Sequence, residues 1–182
     1  QKKAANIYAE SEFPKLEKFE KKNIINNKKI RLGYYSSDFH NHATMYLMIK
    51  LFEIHNRNKF EVFAYSFGPN KKDDMRLRVE KAIDVFKDVR NLSDLDIALL
   101  ARRDKIDIAI DLKGYTDDSR PGIFAHRVSP IQVSYLGYPG TMGAKFIDYI
   151  IADKIVIPES SQKFFSEEII YLPNSYQVND NS

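Results

Sequence analysis

Two kinds of hydrophobic pattern alternate along this chain of 182 residues. Short runs rich in β-branched and aromatic residues predict strands, and longer runs with an apolar residue at every third or fourth position predict helices. The predicted strands cover residues 30–35, 60–67, 106–112, 131–136, 148–152 and 168–172. The predicted helices cover residues 44–55, 72–86, 95–103 and, more briefly, 121–126. This alternation is typical of βαβ units, so we predict an α/β fold with a Rossmann-like, doubly wound parallel sheet.

The beginning of the chain has a different pattern. Apolar residues at helical spacing predict a helix over residues 1–20, although Pro14 weakens the middle of it. The polar stretch 23–29 is interpreted as a linker. We therefore expect a helical leader and linker over residues 1–29, followed by one Rossmann-like lobe over residues 30–182.

Three polar residues mark the expected ends of helices. Ser93 stands where an N-cap belongs, just ahead of the helix predicted over residues 95–103. His55 and His126 stand at the far ends of predicted helices, where a cation suits the helix dipole. We interpret all three as structural.

Composition narrows the class of protein. With 43% hydrophobic and 29% charged residues, the chain is globular rather than disordered. The net charge of +3 is mild, and the lysine-rich stretch 15–29 is interpreted as a solvated face, so no nucleic-acid partner is expected. No apolar run approaches the ~20 residues of a membrane span. The absence of cysteine excludes disulfides and thiolate metal sites, and it fits a cytoplasmic location.

The ends of the chain suggest that it is part of something larger. It begins at Gln1 rather than at a methionine, and it closes on the polar stretch 179–182 without a predicted helix or strand. We expect a piece of a longer protein.

The polar and glycine-rich stretches follow the predicted strands. These stretches cover residues 36–44, 66–70, 113–120 and 137–143. Ligands of open α/β sheets bind outside the carboxyl ends of the strands, where these loops meet. Glycine in such loops lets the backbone approach a ligand closely. We therefore expect a cleft at this edge of the sheet.

The loop SSDFHNHAT, residues 36–44, is the densest candidate. Asp38 and His42 are candidate active-site residues, whereas the alternative is that Asp38 or Thr44 simply caps the next helix. His40 and His42 alternate, as ligands of a metal could in an extended segment, but no third ligand has a recognisable spacing. We do not expect a metal site.

Two further loops allow both a functional and a structural interpretation. The stretch GYPGTMG, residues 137–143, lacks the G-x-G-x-x-G spacing and the Lys-Ser/Thr pair of a phosphate loop, so it is either a ligand loop or a turn around Pro139. Gly114-Tyr115-Thr116 is either part of the cleft or a strand-ending turn with a packed tyrosine. Asp117-Asp118 is interpreted as solvated loop rather than as a metal site.

Several long motifs carry a resemblance to a known family. They are RLGYYSSDFHNHAT, KFEVFAYSFGPN, IDIAIDLKGYTDDSRPGIFAHRVSPIQVSYLGYPGTMGAKFIDYIIAD and EEIIYLPNSYQVND, in that order over about residues 30–180. Together they resemble the amino-terminal lobe of the O-GlcNAc transferase family, glycosyltransferase family 41, and especially its bacterial tetratricopeptide-linked members. The resemblance implies a GT-B fold, in which two Rossmann-like lobes enclose the active site. It also implies inverting transfer of a sugar from a UDP-sugar to Ser or Thr of proteins, without a metal or another cofactor.

The resemblance assigns roles by position. Asp38 matches the family's aspartate, a base or proton-relay residue, and His42 matches the histidine that borders sugar and acceptor. Thr44 matches the threonine that follows, with Ala43 in place of the family's usual proline. We give His40 no catalytic role. The other expected substrate-binding residues lie in two loops: Gly114, Tyr115, Thr116, Leu136, Gly137, Tyr138, Pro139, Gly140 and Thr141.

Other parts of the family's machinery lie outside this sequence. The resemblance places the uridine pocket and the diphosphate-binding lysine in a carboxyl-terminal lobe, and it implies tetratricopeptide repeats upstream. The expected partners are therefore a UDP-sugar, a protein acceptor, that second lobe and those repeats. The isolated chain should be inactive. GlcNAc is the first choice of sugar; a SPINDLY-like O-fucosyltransferase, a related glucosyltransferase and a non-catalytic Rossmann-like binding module are the alternatives.

Overall fold

The computed structural model describes residues 1–13 and 28–181. The strands are β1 Ile30–Ser36, β2 Phe60–Ser66, β3 Val85–Asp88, β4 Ile108–Asp111, β5 Ile131–Tyr135, β6 Tyr149–Ala152 and β7 Glu168–Tyr171. The α-helices are α1 Lys2–Glu12, α2 Ala43–Ile54, α3 Asp74–Ala82, α4 Asp94–Arg103 and α5 Gly122–Ala125, and a 3-10 helix covers Glu159–Phe164. Within the described ranges, no helix is long and apolar enough to cross a membrane.

The seven strands form one parallel sheet in the order β3-β2-β1-β4-β5-β6-β7. The chain moves outward from β1 to β2 and β3, and it then returns to the other side of β1 as β4. The direction of winding therefore reverses between β1 and β4, which is the switch point of a doubly wound fold. The prediction of a Rossmann-like α/β sheet is confirmed.

Both faces of the sheet are buried under helices. One face packs against α2 and α3 through side chains such as Met48, Phe52 and Val79. The other packs against α1, α4 and α5 through side chains such as Ile97 and Phe124. Successive residues of a strand point to opposite faces, so both sets must be apolar, and this explains the nearly continuous hydrophobic runs in the sequence.

One predicted helix is too long. The helix expected over residues 72–86 ends at Ala82, and β3 follows at Val85–Asp88. The edge of the sheet decides this boundary, because the backbone N–H of Asp84 donates to Val62 on β2 and starts the pairing of β3. β-branched and aromatic residues at the start of β3 suit a strand, but the helical periodicity of the preceding residues hid this signal.

Of the predicted helical leader, the structure shows a helix over Lys2–Glu12, and this helix packs against the lobe. Ala5 and Ala9 are buried, and the rings of Phe13 and Phe146 meet edge to face at 5.5 Å. The rest of the predicted leader and most of the predicted linker fall on residues 14–27, outside the described residues. The boundary between leader and lobe stays a prediction.

The predicted helix ends agree with the structure. Ser93 is the N-cap of α4, and its hydroxyl accepts from the backbone N–H of Asp96 at 3.1 Å. His55 and His126 are the residues that follow α2 and α5.

Candidate active site

The loops after β1, β4 and β5 meet at the carboxyl edge of the sheet. The loops after β4 and β5 touch so closely that a β-carbon on Gly137 would lie 2.0 Å from the carbonyl oxygen of Leu112. Gly114 has a φ of +58°, and a β-carbon there would lie 2.5 Å from Tyr138. Both positions therefore require glycine. The two loops form one continuous wall beside the loop that carries Asp38.

An ion pair spans the switch point of the sheet. Asp38 follows β1 and Lys113 follows β4, and these strands are neighbours. The Lys113 ammonium donates to both carboxylate oxygens of Asp38, at 3.0 Å to Oδ1 and 2.8 Å to Oδ2. Both side chains are less than a tenth exposed. This is a charge-assisted contact between two carboxyl-terminal loops at the position where ligands of such sheets bind.

Neighbouring serines also hold Asp38 in place. The Ser37 hydroxyl donates to Oδ1 of Asp38 at 2.9 Å, and the backbone N–H of Asp38 donates to the Ser36 hydroxyl at 3.0 Å. The carboxylate of Asp38 thus has three hydrogen bonds from Ser37 and Lys113 together. The orientation of this carboxylate is thus determined by residues from the loops that follow β1 and β4.

His42 is the N-cap of α2. Its Nδ1 accepts from the backbone N–H of Thr44 at 3.2 Å. Nδ1 also lies 3.7 Å from Oδ2 of Asp38, which is too long for a hydrogen bond. Because Nδ1 uses its lone pair for the cap, the neutral imidazole carries its proton on Nε2. The loop therefore does cap a helix, as the alternative interpretation held, but the capping side chain is His42 rather than Asp38 or Thr44.

Asp111 organises the loop after β4. Its carboxylate is buried and accepts from the backbone N–H groups of Lys113, at 2.9 Å, and of Gly114, at 3.1 Å. Burial raises the pKa of Asp111 to about 6, against the lowering effect of these hydrogen bonds and of the Lys113 charge. Asp111 thus holds the backbone of Lys113 in the position from which the lysine side chain contacts Asp38.

The other candidates in this loop have internal partners. The Tyr115 hydroxyl donates to the carbonyl of Met142 at 2.9 Å, and the Thr116 hydroxyl donates to the carbonyl of Lys113 at 3.0 Å. Gly114-Tyr115-Thr116 is therefore a strand-ending turn with a packed tyrosine, which was one of the two interpretations. Its role in binding a substrate stays a prediction.

The LGYPGT loop, residues 136–141, combines strain with firm anchoring. Leu136 has a φ of +67°, a conformation that L-residues rarely adopt and that recurs at functional sites. Pro139 at the tip is exposed, while Thr141 at the base is buried. The Thr141 hydroxyl donates to Glu167 at 2.6 Å, so this hydroxyl is occupied inside the protein. The role of Thr141 and of residues 136–140 in binding a sugar stays a prediction.

Three residues at this site were not singled out from the sequence: Lys113, Asp111 and Glu167. Lys113 is 75 positions from Asp38, and Glu167 is 26 positions from Thr141. Nothing in the local pattern relates such distant residues. The one available signal was the position of Asp111 and Lys113 around the end of a predicted strand.

His40 lies beside His42, with the two ring centroids 5.9 Å apart in an edge-to-face arrangement. Its side chain is buried, and its Nδ1 lies 3.2 Å from the carbonyl oxygen of Asn41. In the described part of the chain, no three His, Cys, Asp or Glu side chains are grouped as metal ligands would be.

Several known proteins have sequences similar to this chain. Residues 11–182 match the sequence model of glycosyl transferase family 41. The chain is 44% identical over 153 residues to a protein of Arabidopsis thaliana named probable UDP-N-acetylglucosamine–peptide N-acetylglucosaminyltransferase SEC, covering 84% of this chain and 16% of that protein. It is 37% identical over 160 residues to the UDP-N-acetylglucosamine–peptide N-acetylglucosaminyltransferase of Caenorhabditis elegans, covering 87% and 14%. A protein of Arabidopsis thaliana named probable UDP-N-acetylglucosamine–peptide N-acetylglucosaminyltransferase SPINDLY is 34% identical over 150 residues, covering 81% and 16%.

A solved structure shares the fold. A mutant O-GlcNAc transferase of Thermobaculum terrenum superposes with a TM-score of 0.79 and 32% identity, over 82% of this chain and 29% of that one. The prediction of a Rossmann-like lobe of a GT-B enzyme is thereby confirmed. This chain spans about one sixth of the length of the curated relatives it matches. The family match over most of the chain and the identity to these relatives together lead to one conclusion: the chain belongs to glycosyl transferase family 41.

Proposed function

We propose that this chain is the amino-terminal lobe of an inverting protein O-glycosyltransferase that transfers GlcNAc from UDP-GlcNAc to Ser or Thr of proteins. The observation that carries the proposal is the buried Asp38 carboxylate at the switch point of a family 41 lobe, held by Lys113 and flanked by His42. The names of the Arabidopsis SEC and Caenorhabditis relatives support GlcNAc as the sugar.

The site has what an inverting transfer requires of one lobe. The acceptor hydroxyl must be held in line with the anomeric carbon, and its proton must leave as the bond forms. Oδ2 of Asp38 accepts a hydrogen bond from Lys113 and has a second lone pair, so it can take up the proton either directly or through a water molecule. His42 presents Nε2–H as a hydrogen-bond donor, because its Nδ1 caps α2. We assign His42 to the orientation of the substrate and Asp38 to the proton path.

The neighbouring loops complete the proposed cleft. The backbone of residues 136–140, together with Thr44 and residues 114–116, would line the sugar. The departing diphosphate must be met elsewhere, by helix N-termini and basic side chains of a second lobe, since the reaction is proposed to use no metal and no cofactor. That second lobe, upstream tetratricopeptide repeats and a cytoplasmic location belong to the same proposal.

The test uses the full-length protein that contains this chain. It is incubated separately with UDP-GlcNAc, UDP-Glc and GDP-Fuc, and mass shifts are measured on candidate acceptor proteins. Transfer from UDP-GlcNAc is expected. Asp38→Asn should reduce turnover per folded molecule by about 10²-fold or more, the range for a lost acid–base group. It also leaves the buried Lys113 charge without its carboxylate, so the melting temperature should fall. Unchanged turnover in this variant would remove the catalytic role of Asp38.

SPINDLY-like transfer of fucose is the second candidate. The Arabidopsis protein named SPINDLY is 34% identical over almost the same part of this chain as SEC, so this lobe resembles both proteins. Transfer from GDP-Fuc without transfer from UDP-GlcNAc would select this alternative. A non-catalytic binding module would give transfer from none of the three donors.

A further inference from the structure

Lys113 is a buried lysine without an evident role in packing. Its side chain is 7% exposed, and both hydrogen bonds of its ammonium go to Asp38. Burial of a lysine is unfavourable unless the charge is paired, and apolar residues often replace a buried ion pair without loss of stability. Stability therefore does not explain why a lysine stands at the start of the loop after β4. The partner of the ammonium is more informative about the role of Lys113, because that partner is the candidate active-site residue Asp38.

Hydrogen bonds on both sides fix the backbone of Lys113, the residue that contacts the Asp38 carboxylate. Asp111 accepts from the backbone N–H groups of Lys113 and Gly114, and the Thr116 hydroxyl donates to the Lys113 carbonyl. The base of the Lys113 side chain is thus held on both sides. A flexible side chain with a fixed base and a bidentate contact at its tip imposes one orientation on its partner.

We propose that Lys113 is a positioning residue for the transfer reaction and acts through Asp38. By holding both oxygens of Asp38, it keeps the carboxylate in a single orientation beside His42 and towards the proposed acceptor. This inference rests on the proposed function. It adds a residue from the loop after β4 to the proposed active site. The site is then formed by loops from both sides of the switch point of the sheet.

A positioning role differs from a stabilising role in what it changes. Loss of Lys113 should lower kcat, because Asp38 no longer has a fixed orientation when the reaction occurs. The KM for the donor should change little, since the Lys113 ammonium is buried and donates to Asp38. A merely structural role would lower the melting temperature and leave kcat per folded molecule unchanged.

The chain supplies a matched control. Lys87 on β3 donates to both oxygens of Asp104, at 2.7 and 2.6 Å, so it makes the same bidentate pair without any contact to Asp38. Lys87→Met therefore removes an ion pair of the same bidentate geometry, although its side chains are more exposed, at 25% and 17%. It should leave kcat within about twofold of wild type, as expected for distant, independent sites.

The experiment measures kcat and KM of the full-length enzyme with UDP-GlcNAc. Lys113→Met should lower kcat by about 10-fold or more with KM within about twofold, and Lys113→Arg should recover part of the loss because it retains the charge. The double variant Asp38→Asn/Lys113→Met carries no unpaired buried charge, so it keeps the test valid if Lys113→Met alone does not fold. Its kcat should equal that of Asp38→Asn within about twofold, because Lys113 acts through Asp38.

Two results would overturn the inference. One is a kcat of folded Lys113→Met within about twofold of wild type, and the other is a further loss of about 10-fold on adding Lys113→Met to Asp38→Asn. Either result, in a wild type that transfers sugar, leaves the proposed function intact. A wild type that transfers none of the three sugars removes the proposed function and the inference with it.

Discussion

The hydroxyl of Thr141 donates a 2.6 Å hydrogen bond to the buried carboxylate of Glu167. The same carboxylate accepts from the backbone N–H groups of Met142, at 2.7 Å, and Ser166, at 3.1 Å. One side chain just before β7 thus anchors the base of the LGYPGT loop. The base of the loop is held by a residue that lies next to a different strand, so a change at Glu167 should affect the function of the loop.

Glu167→Gln tests this anchor. Glutamine has one acceptor oxygen instead of two, so at least one of the three bonds is lost and an amide faces a donor. We expect a loss of about 1–3 kcal/mol in the free energy of unfolding, the range for an unsatisfied buried group. In the full-length enzyme, the KM for the donor should rise several-fold, because the loop that would line the sugar becomes mobile.

Glu168→Gln is the control for that variant, since Glu168 is the exposed neighbour on β7. It should behave as wild type in urea unfolding and in donor KM. Equal KM values for Glu167→Gln and wild type would contradict the expected link between this anchor and the sugar loop.

Asp111 predicts a dependence of stability on pH. Burial raises its pKa to about 6 from a usual value of 3.8, so the folded state holds its proton more tightly than the unfolded state. The stabilisation is complete below about pH 4, and it is lost as the pH rises through about 6; it amounts to about 3 kcal/mol for a shift of about two units. Urea unfolding of the chain between pH 4 and 8 measures it.

Asp111→Asn should remove this dependence, because the amide does not titrate. It should also lower stability at every pH, since it loses the acceptor for one backbone N–H. Asp117→Asn, an exposed residue of the same loop, is the control and should retain the wild-type slope. An Asp111→Asn slope equal to that of wild type would show that another group titrates in this range.

His42 combines a cap with a proposed contact to substrate, and two substitutions separate these roles. His42→Ala removes both, so we expect a loss of about 1 kcal/mol of stability together with a fall in turnover of about 10²-fold. His42→Asn supplies a good capping acceptor without an imidazole, so it should recover the stability but not the turnover. Thermal unfolding and kcat of the full-length enzyme give the two readings. Recovery of turnover in His42→Asn would reduce His42 to a cap.

Asp73 holds the Asp38–His42 loop from the side of α3. Its Oδ1 accepts from the backbone N–H of Arg76 and caps α3, and its Oδ2 accepts from the backbone N–H of Asn41 at 2.9 Å. Asp73→Ala should therefore cost about 1–2 kcal/mol of stability as a lost cap. It should also lower kcat several-fold, because Asn41 lies between Asp38 and His42.

Asp74→Ala is the matched control, since Asp74 is the exposed acidic neighbour in the first turn of the same helix. It should change stability by no more than about 0.5 kcal/mol and leave kcat unchanged. A loss of stability in Asp73→Ala at full kcat would show that the contact with Asn41 does not matter for the reaction.

Local sequence was enough for most of the fold. The strands β1, β2 and β4 to β7 and the helices α2 and α4 lie within a few residues of their predicted ranges, because a buried parallel strand and an amphipathic helix each impose a period on their own residues. The exception is β3. Its four residues become a strand through pairing with β2, which is a tertiary contact.

For the candidate site, sequence and structure each determined a different part. The sequence by itself placed Asp38, His42 and the LGYPGT loop at the carboxyl edge of the sheet, and the motifs indicated the family. Only the tertiary structure decided which side chains support them: Lys113 holds Asp38 across 75 positions, and Glu167 holds Thr141 across 26. The physical reason is that periodicity and caps depend on neighbours in the chain, whereas an ion pair or a buried hydrogen bond depends on which strands lie side by side.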